Sequence, residues 1–196
     1  MNEQERRDRW KQDTDALHQA IGEFVVTFES ICHAIQTCII FVLNNAGLTN
    51  QRVSQIILAG MTAEPLRTLF ESLVGELVLL NDAERRIVKD SLNRFQALAQ
   101  ARNDIVHSTW FIGWGNESTT DFSEASGHKY HKDKSGAVIK SFRRREEDFA
   151  ALTLEAKALA HIFQRLNGCL TGPFSVEKNF IVSSDGRVSV PPSAAS

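Results

Sequence analysis

Apolar side chains recur every three or four residues through most of the first half of the chain, which is the spacing of one helix face. The first run has apolar residues at Leu17, Ile21, Phe24, Val25, Phe28, Ile31, Ile35, Ile39 and Val42. It stops at residues 44–47, Asn-Asn-Ala-Gly, where Asn or Gly can take the left-handed conformation that ends helices. The pattern therefore predicts a long first helix from about Leu17, with one buried face.

Two further helical runs follow. Thr49 or Asn50 can cap the second, and Pro65 is predicted to start a fresh turn after a Thr62 cap, since proline is tolerated at the first helical position. The third run, residues 82–107, is preceded by Asn at position 81 and Glu at position 84, the spacing of a capping box.

The helical pattern breaks between the third run and the next one. Residues 108–142 hold four glycines and two β-prone pieces, Thr109–Trp114 and Ala137–Phe142, and are predicted to form a loop with one or two hairpins. A fourth helix is predicted from about Arg145 to Leu166. The predicted fold class is thus all-α: a four-helix up-and-down bundle with residues 108–142 inserted between its third and fourth helices.

The C-terminal residues form a separate predicted segment. Phe180–Val182 and Val188–Val190 flank a Ser-Ser-Asp-Gly-Arg stretch, which predicts a short hairpin. The last six residues, Pro-Pro-Ser-Ala-Ala-Ser, are predicted to be disordered. We therefore divide the chain into a bundle at 1–170 and a β-prone, partly disordered tail at 171–196.

Composition narrows the class of protein. The 196 residues are 42% hydrophobic, and 22 Lys and Arg against 24 Asp and Glu give a net charge of −2, which argues against binding nucleic acid or membrane through bulk positive charge. Three scattered cysteines without a Cys-x-x-Cys pair favour a reducing, cytoplasmic location without zinc. The charged N-terminus is unlike a signal peptide, and polar residues interrupt the most apolar stretch, Phe24–Leu43, so no membrane span is predicted.

One stretch, Arg102-Asn-Asp-Ile-Val-His107, can carry chemistry at the end of the third helix. Asn103 and His107 are four residues apart and share a helix face, whereas Arg102 lies roughly 140° around the axis from His107. Cations near a helix C-terminus also complement the helix dipole, and this structural explanation stays open for Arg102 and His107.

An all-α bundle whose third helix closes with an Arg, a polar residue and, a few residues later, a His resembles the HEPN superfamily. Arg102, Asn103 and His107 match that pattern, and Ser108 and Trp110 resemble the small and aromatic residues that often follow in bacterial members. The resemblance covers roughly residues 15–168. It implies a metal-independent endoribonuclease without a cofactor, in a toxin–antitoxin or phage-defence context.

The chemistry suits these residue types. Self-cleavage of RNA through its 2′-hydroxyl needs a base, an acid and charge stabilisation at phosphorus. His107 can act as base or acid, Arg102 fits phosphate oxygens, and Asn103 can orient the His or donate to the phosphate. One chain supplies a single such His, so a homodimer that brings two Arg–His pairs together is expected, unless water or Asp104 takes the second role.

Two alternatives to a nuclease remain open. A HEPN-like bundle can serve as a non-catalytic interaction module that binds a partner protein or a nucleotide. HEPN proteins are also often encoded beside nucleotidyltransferases that modify them on a tyrosine two residues beyond the His, but this chain has Thr109 there. An antitoxin or another regulatory protein is a further expected partner of the nuclease.

A basic segment near the motif is the predicted RNA contact. Residues 128–145 carry a net charge of +6, which leaves −8 for the rest of the chain. The predicted contacts to single-stranded or loop RNA are Lys129, Lys132, Lys140, Arg143, Arg144, Arg145 and Trp110. Phe111, Trp114 and Tyr130 lie nearby and can stack on bases, although hairpin packing explains these aromatics equally and a solvated loop explains the charges.

The position of the three arginines bears on that choice. Arg143–Arg145 are predicted at the start of the fourth helix, where the dipole disfavours cations, so this placement favours a functional role. His128 and His131 are predicted to lie in a flexible loop, and no cysteine completes a zinc set, so no metal site is predicted.

Overall fold

A computed structural model describes residues 2–113, 121–134 and 136–192, and the chain is mostly helical, at 66%. Five α-helices lie in the described ranges: α1 Glu3–Asn45, α2 Gln51–Leu58, α3 Ala63–Leu77, α4 Asp82–Val106 and α5 Glu146–Thr171. The strands there are β1 Thr109–Ile112, β2 Glu124–Asp133, β3 Gly136–Arg145, β4 Ile181–Val182 and β5 Val188–Ser189. A short 3₁₀ helix spans Glu177–Asn179. Helices therefore dominate, with small antiparallel sheets added.

The chain divides into two compact units. The first unit contains residues 1–27 and 100–155, and the second contains residues 28–99 and 156–196. The helices α1, α4 and α5 each contribute residues to both units.

The core of the second unit is built on phenylalanines. Phe28 and Phe95 stack with ring centroids 5.6 Å apart, and Phe163 meets Phe95 and Phe70 edge-on at 6.2 and 5.7 Å. All four rings are almost completely buried. The Cys38 thiol beside them donates to the carbonyl of Phe163, and burial raises the pKa of this thiol to about 12. This cysteine therefore packs as a small hydrophobic residue.

The predicted second helical run is two helices, α2 and α3, so the described ranges contain five α-helices where four were predicted. Asn50 caps α2 as expected, accepting a hydrogen bond from the Arg52 amide. The chain then turns through Gly60, whose φ of +71° suits glycine, and Thr62 is the N-cap of α3. Pro65 is the third residue of α3 and not its first.

The predicted capping box of α4 is confirmed. The Asn81 amide donates to Glu84 Oε2 at 3.1 Å, and the Glu84 amide donates to Asn81 Oδ1 at 3.0 Å. The second carboxylate oxygen of Glu84 accepts from the Val176 amide at 3.1 Å. One glutamate thus caps a helix and fastens the C-terminal segment to it.

The C-terminal segment forms the predicted hairpin, because β4 and β5 pair antiparallel. The Val188 amide donates to Asp90, and Arg94 donates to the Val188 carbonyl at 2.7 Å, so both backbone groups of this buried residue bond to α4. Residues 193–196, within the stretch predicted to be disordered, lie outside the described residues.

In the first unit, β1, β2 and β3 form an antiparallel sheet in sequence order. The Trp110 indole lies against Phe149, with ring centroids 5.7 Å apart, and covers Gly127 on the neighbouring strand. A Cβ atom at Gly127 would lie 2.9 Å from the indole ring, so only glycine leaves room for it. Trp10 of α1 stacks on Phe122 at 4.7 Å.

The start of the first helix and the elements assigned to three arginines and two histidines differ from the sequence predictions. The first helix begins at Glu3 and not near Leu17. Arg143–Arg145 lie in β3, and α5 begins after them with Glu146, Glu147 and Asp148 in its first turn. These acids suit the helix dipole, so the predicted conflict between arginines and a helix N-terminus was wrong. The prediction that His128 and His131 lie in a loop was also wrong, because both belong to β2.

Among the described helices, α1 has the length and apolar composition to cross a membrane, with a mean hydropathy of 1.7 over 18 residues. In the structure, 44% of that window is buried inside the protein. The core helix of a soluble protein passes the same test, so this helix is weak evidence for a membrane span.

The capping box gives a stability prediction. Replacing Asn81 by Ala removes the acceptor for the Glu84 amide and should lower the free energy of unfolding by about 1 kcal/mol. Asn81→Asp keeps an acceptor at the N-cap, so it should lower the free energy of unfolding by only a small part of that amount. Urea denaturation of the three proteins measures the difference, and equal stability of the Ala and Asp variants would contradict the role of the cap.

Candidate functional site

The Arg102–His107 stretch forms the last turn of α4 and the residue just beyond it. His107 and Asn103 are exposed, and Arg102 is half-buried. The His107 amide donates to the Asn103 carbonyl at 3.1 Å, so the helical turn continues through the histidine. This bond places Asn103 and His107 one turn apart, as their spacing predicts.

Asp104, within the same stretch, is a buried charged residue at 7% exposure. Its carboxylate accepts hydrogen bonds from Gln100 Nε2 at 3.0 Å, Lys129 Nζ at 3.1 Å and Lys140 Nζ at 2.5 Å. The two lysines belong to β2 and β3. Asp104 thus joins the end of α4 to both of the longer strands of the sheet.

The strand register explains why a carboxylate is needed here. Lys129 and Lys140 are direct cross-strand partners on one face of the sheet, and like charges in that position destabilise a strand pair. Asp104 lies against both ammonium groups and neutralises one of the two charges. The group therefore carries a net charge of +1, with the Lys129 side chain 14% exposed and that of Lys140 45% exposed.

Asp104 is held in its ionised form. Burial alone would raise the pKa of the carboxyl, but the hydrogen bonds from Lys140, Lys129 and Gln100 outweigh burial and lower the pKa below its usual value of 3.8. At neutral pH the residue is consequently a hydrogen-bond acceptor with a full negative charge.

Three successive carbonyls at the end of α4 accept hydrogen bonds from side chains. Lys129 Nζ donates to the Asn103 carbonyl at 3.4 Å, the Ser108 hydroxyl donates to that of Asp104, and Trp110 Nε1 donates to that of Ile105 at 2.7 Å. The last carbonyls of a helix have no partner within it, so Ser108 and Trp110 satisfy those of Asp104 and Ile105. Lys129 adds a second donor to the Asn103 carbonyl, which the His107 amide already bonds. A lysine at this position also complements the negative end of the helix dipole.

The predicted RNA contacts fall into two groups. Lys129, Lys140 and Trp110 bond to the end of α4, and the half-buried Arg144 lies on the same face of the sheet. The second group, Lys132, Arg143 and Arg145, lies on the opposite face.

The two arginines on the opposite face both lie near carboxylates, but at different distances. Arg145 pairs with Asp121 at 3.2 Å and lies 4.0 Å from Glu124. Arg143 lies 3.7 Å from Glu124, and its side chain is 80% exposed. Trp114, an aromatic named with this segment, lies outside the described residues.

Sequence reasoning noted Asp104 only as a substitute acid or base and missed its contacts with the sheet. Its lysine partners are 25 and 36 residues away along the chain. A signal was available in the sequence. Lys129 lies four residues before Asp133 and Lys140 lies four residues after Gly136, so a tight hairpin that pairs Asp133 with Gly136 also pairs the two lysines. Two lysines in that position need a counter-charge.

No protein-family model, no curated protein and no solved structure matches the chain. In the part of the chain that the structure describes, no three His, Cys, Asp or Glu side chains cluster in a way that could hold a metal ion. The chemistry of the site is therefore argued from its own residues.

The buried carboxylate gives a second stability prediction. Asp104→Asn leaves Lys129 and Lys140 opposite each other without a counter-charge, and should lower the free energy of unfolding by about 2–3 kcal/mol. This is less than for a fully buried pair because Lys140 is half-exposed. The matched control is Asp121→Asn, which removes an exposed carboxylate paired with Arg145 and should cost less than about 1 kcal/mol. Equal losses in the two variants would contradict the bridging role of Asp104.

The lowered pKa of Asp104 also predicts a pH dependence. A carboxyl whose pKa is lower in the folded state stabilises the fold above its unfolded pKa, near 3.8, and that stabilisation is lost as the pH falls through the folded value. The stability difference between the wild type and Asp104→Asn should be constant from neutral pH to about pH 5 and shrink below about pH 4. Denaturation at a series of pH values measures this difference, and its disappearance already near pH 6 would exclude the proposed cause.

Proposed function

We propose that the protein is a metal-independent endoribonuclease of HEPN type that acts as a homodimer on single-stranded or loop RNA. The observation that carries this proposal is the exposed His107 imidazole, one helical turn after the exposed Asn103 and close in sequence to a half-buried arginine, Arg102. The up-and-down bundle arrangement expected of that family is part of the proposal, as is a cytoplasmic location.

His107 is the proposed proton-transfer group. Its imidazole is exposed, so a phosphodiester can reach it, and histidine can exchange a proton near neutral pH. In one role it takes the proton of the RNA 2′-hydroxyl, whose oxygen attacks the adjacent phosphorus. In the other it gives a proton to the departing 5′-oxygen.

Arg102 is the proposed phosphate-stabilising group, and Asn103 supports it. A guanidinium stays protonated and presents several N–H donors, so it can stabilise the negative charge that builds up on the phosphate oxygens. Asn103 can donate its side-chain amide to the same phosphate. The bond from Lys129 to the Asn103 carbonyl fixes the backbone from which these side chains extend.

The number of proton-transfer groups that the reaction needs favours a dimer. The reaction needs an acid and a base, and each chain supplies one His107 at this helix end. A two-fold axis that brings two such ends together supplies both groups from identical residues. Asp104 is a poor substitute, because it is buried and held ionised by two lysines. An antitoxin or another regulatory protein would then act by covering the shared cleft.

Cleavage by a histidine variant tests the proposal. His107→Ala should lower the rate of RNA cleavage by at least roughly 10²-fold in an assay that contains EDTA, because it removes the proton-transfer group. His161→Ala, which removes another exposed histidine on α5, is the matched control and should cleave like the wild type. Circular dichroism and sedimentation should show that both variants keep the fold and the dimer.

Two results would contradict the nuclease proposal. Undiminished cleavage by His107→Ala would place the activity elsewhere. A wild-type protein that forms the dimer but cleaves no RNA under any condition would indicate a non-catalytic HEPN-like module that binds a partner protein or a nucleotide.

A further inference from the structure

The face of the β1–β2–β3 sheet opposite Asp104 has an unusual composition for a surface in contact with water. We call it the outer face and define it by Phe111, His128, Tyr130, Lys132, Ile139 and Arg143. Successive residues of a strand point to opposite sides, so these side chains lie across the sheet from Lys129 and Lys140. The outer face of an antiparallel sheet is ordinarily polar, yet here Phe111, Tyr130 and Ile139, three of the twelve outward side chains of the described strands, are large and mainly apolar.

Tyr130 and Ile139 are largely exposed, whereas Phe111 and His128 are mostly covered. Tyr130 is 76% exposed, and its direct cross-strand partner Ile139 is 58% exposed. Phe111 is 37% exposed, and its ring lies 5.8 Å from that of His128. The Ser141 hydroxyl lies 3.0 Å from Nδ1 of His128 and orients the imidazole. Tyr130 and Ile139 each keep more than half of their surface in water, so much of the apolar area of this pair stays available to a ligand.

The rings are arranged as a series. Phe111 contacts His128, and Tyr130 follows His128 on the same face of the same strand, roughly 7 Å further along it. Rings that lie on an open sheet surface at such intervals can each stack on an unpaired base. Paired bases in a duplex are already stacked and cannot be reached in this way, so the geometry selects single-stranded nucleic acid.

The charge of the outer face complements a phosphate backbone. Lys132 and Arg143 are exposed on it, and Arg145 and Glu124 lie at its end, which gives the described outward side chains a net charge of +2. The protein as a whole carries −2. A local positive face with rings between its charges fits a polyanion that carries flat bases better than it fits a peptide.

We propose that the outer face binds an unpaired segment of the RNA substrate, with Tyr130 and Phe111 stacked on bases and Lys132 and Arg143 on phosphates. The inference rests on the proposed function only in naming the nucleic acid as substrate RNA. It reassigns binding from Lys129, Lys140 and Trp110, which bond to the end of α4, to residues on the other side of the sheet.

The single tyrosine of the chain provides a direct probe. Tyr130 is the only tyrosine, so incorporation of 3-fluorotyrosine gives one ¹⁹F signal, which reports on the outer face alone. The experiment uses the full chain with His107→Ala, so that cleavage is strongly slowed, and adds an unstructured oligouridine. We expect the ¹⁹F signal to shift with a saturable dependence on RNA. An unchanged signal while the protein binds this RNA would overturn the proposal.

Single substitutions on the outer face measure how much each side chain contributes to RNA binding. Tyr130→Ala should weaken oligouridine binding, measured by fluorescence anisotropy, by roughly 5- to 150-fold, the range for loss of one stacked base, whereas Tyr130→Phe should bind like the parent. Leu154→Ala, which removes a side chain that is 71% exposed on α5, is the matched control and should bind normally. Lys132→Ala and Arg143→Ala should each reduce the slope of log affinity against log salt by about one.

The outcomes separate this inference from the nuclease proposal. If Tyr130→Ala binds and cleaves RNA like the wild type, the outer face is not the binding surface and the nuclease proposal stands. If the outer face binds RNA but the wild type never cleaves it, the surface stands and the nuclease proposal fails. A change of oligomeric state caused by Tyr130→Ala without RNA would instead identify the face as a contact with a second copy, which overturns the inference.

Discussion

The buried carboxylate of Asp104 is the constraint on which the first unit depends. It carries the charge that allows Lys129 and Lys140 to lie opposite each other, and it is also part of the helix turn that holds Arg102 and His107. A helix end left to itself frays, because its last carbonyls lack partners. Here Ser108 and Trp110 supply partners for the carbonyls of Asp104 and Ile105, and Lys129 adds a second donor to that of Asn103. The exposed His107 therefore follows a helix end whose carbonyls are hydrogen-bonded. The proposed proton transfer depends on such positioning of the histidine.

The two faces of the three-stranded sheet have different roles as a result. The face toward Asp104 is used for structure: its lysines and Trp110 are bonded to α4, and Gly127 makes room for the indole ring. On the other face Tyr130, Ile139, Lys132 and Arg143 are exposed. In the sequence, the residues of the two faces form a single basic segment, because consecutive residues of a strand alternate between the faces. The proposed roles of the two faces therefore follow from the alternation of side chains along β2 and β3.

Much of the helical structure could be predicted because local signals determine it. The Asn81–Glu84 capping box, the Asn50 cap and the tail hairpin each depend on residues a few positions apart, and all three are confirmed. The predicted start of the fourth helix, about Arg145, lies within one residue of the observed Glu146, but Arg143–Arg145 were assigned to the helix start and not to a strand. Three arginines fit either element, and their pairing with Glu124–Ser126 decides it. The contacts of Asp104 required the register of β2 and β3, which a sequence alone leaves open. The HEPN resemblance rests on a short motif, and no comparison with known proteins adds to it or opposes it.

The central claim is that residues at the end of α4 catalyse RNA cleavage in which a 2′-hydroxyl of the RNA attacks the adjacent phosphorus. Analysis of the product termini by mass spectrometry, in the presence of EDTA, tests this claim most directly. We expect a 2′,3′-cyclic phosphate on one fragment and a 5′-hydroxyl on the other, and no cleavage where the attacking nucleotide is replaced by its 2′-deoxy form. Fragments with a 5′-phosphate and a 3′-hydroxyl, or equal cleavage of the 2′-deoxy substrate, would contradict it.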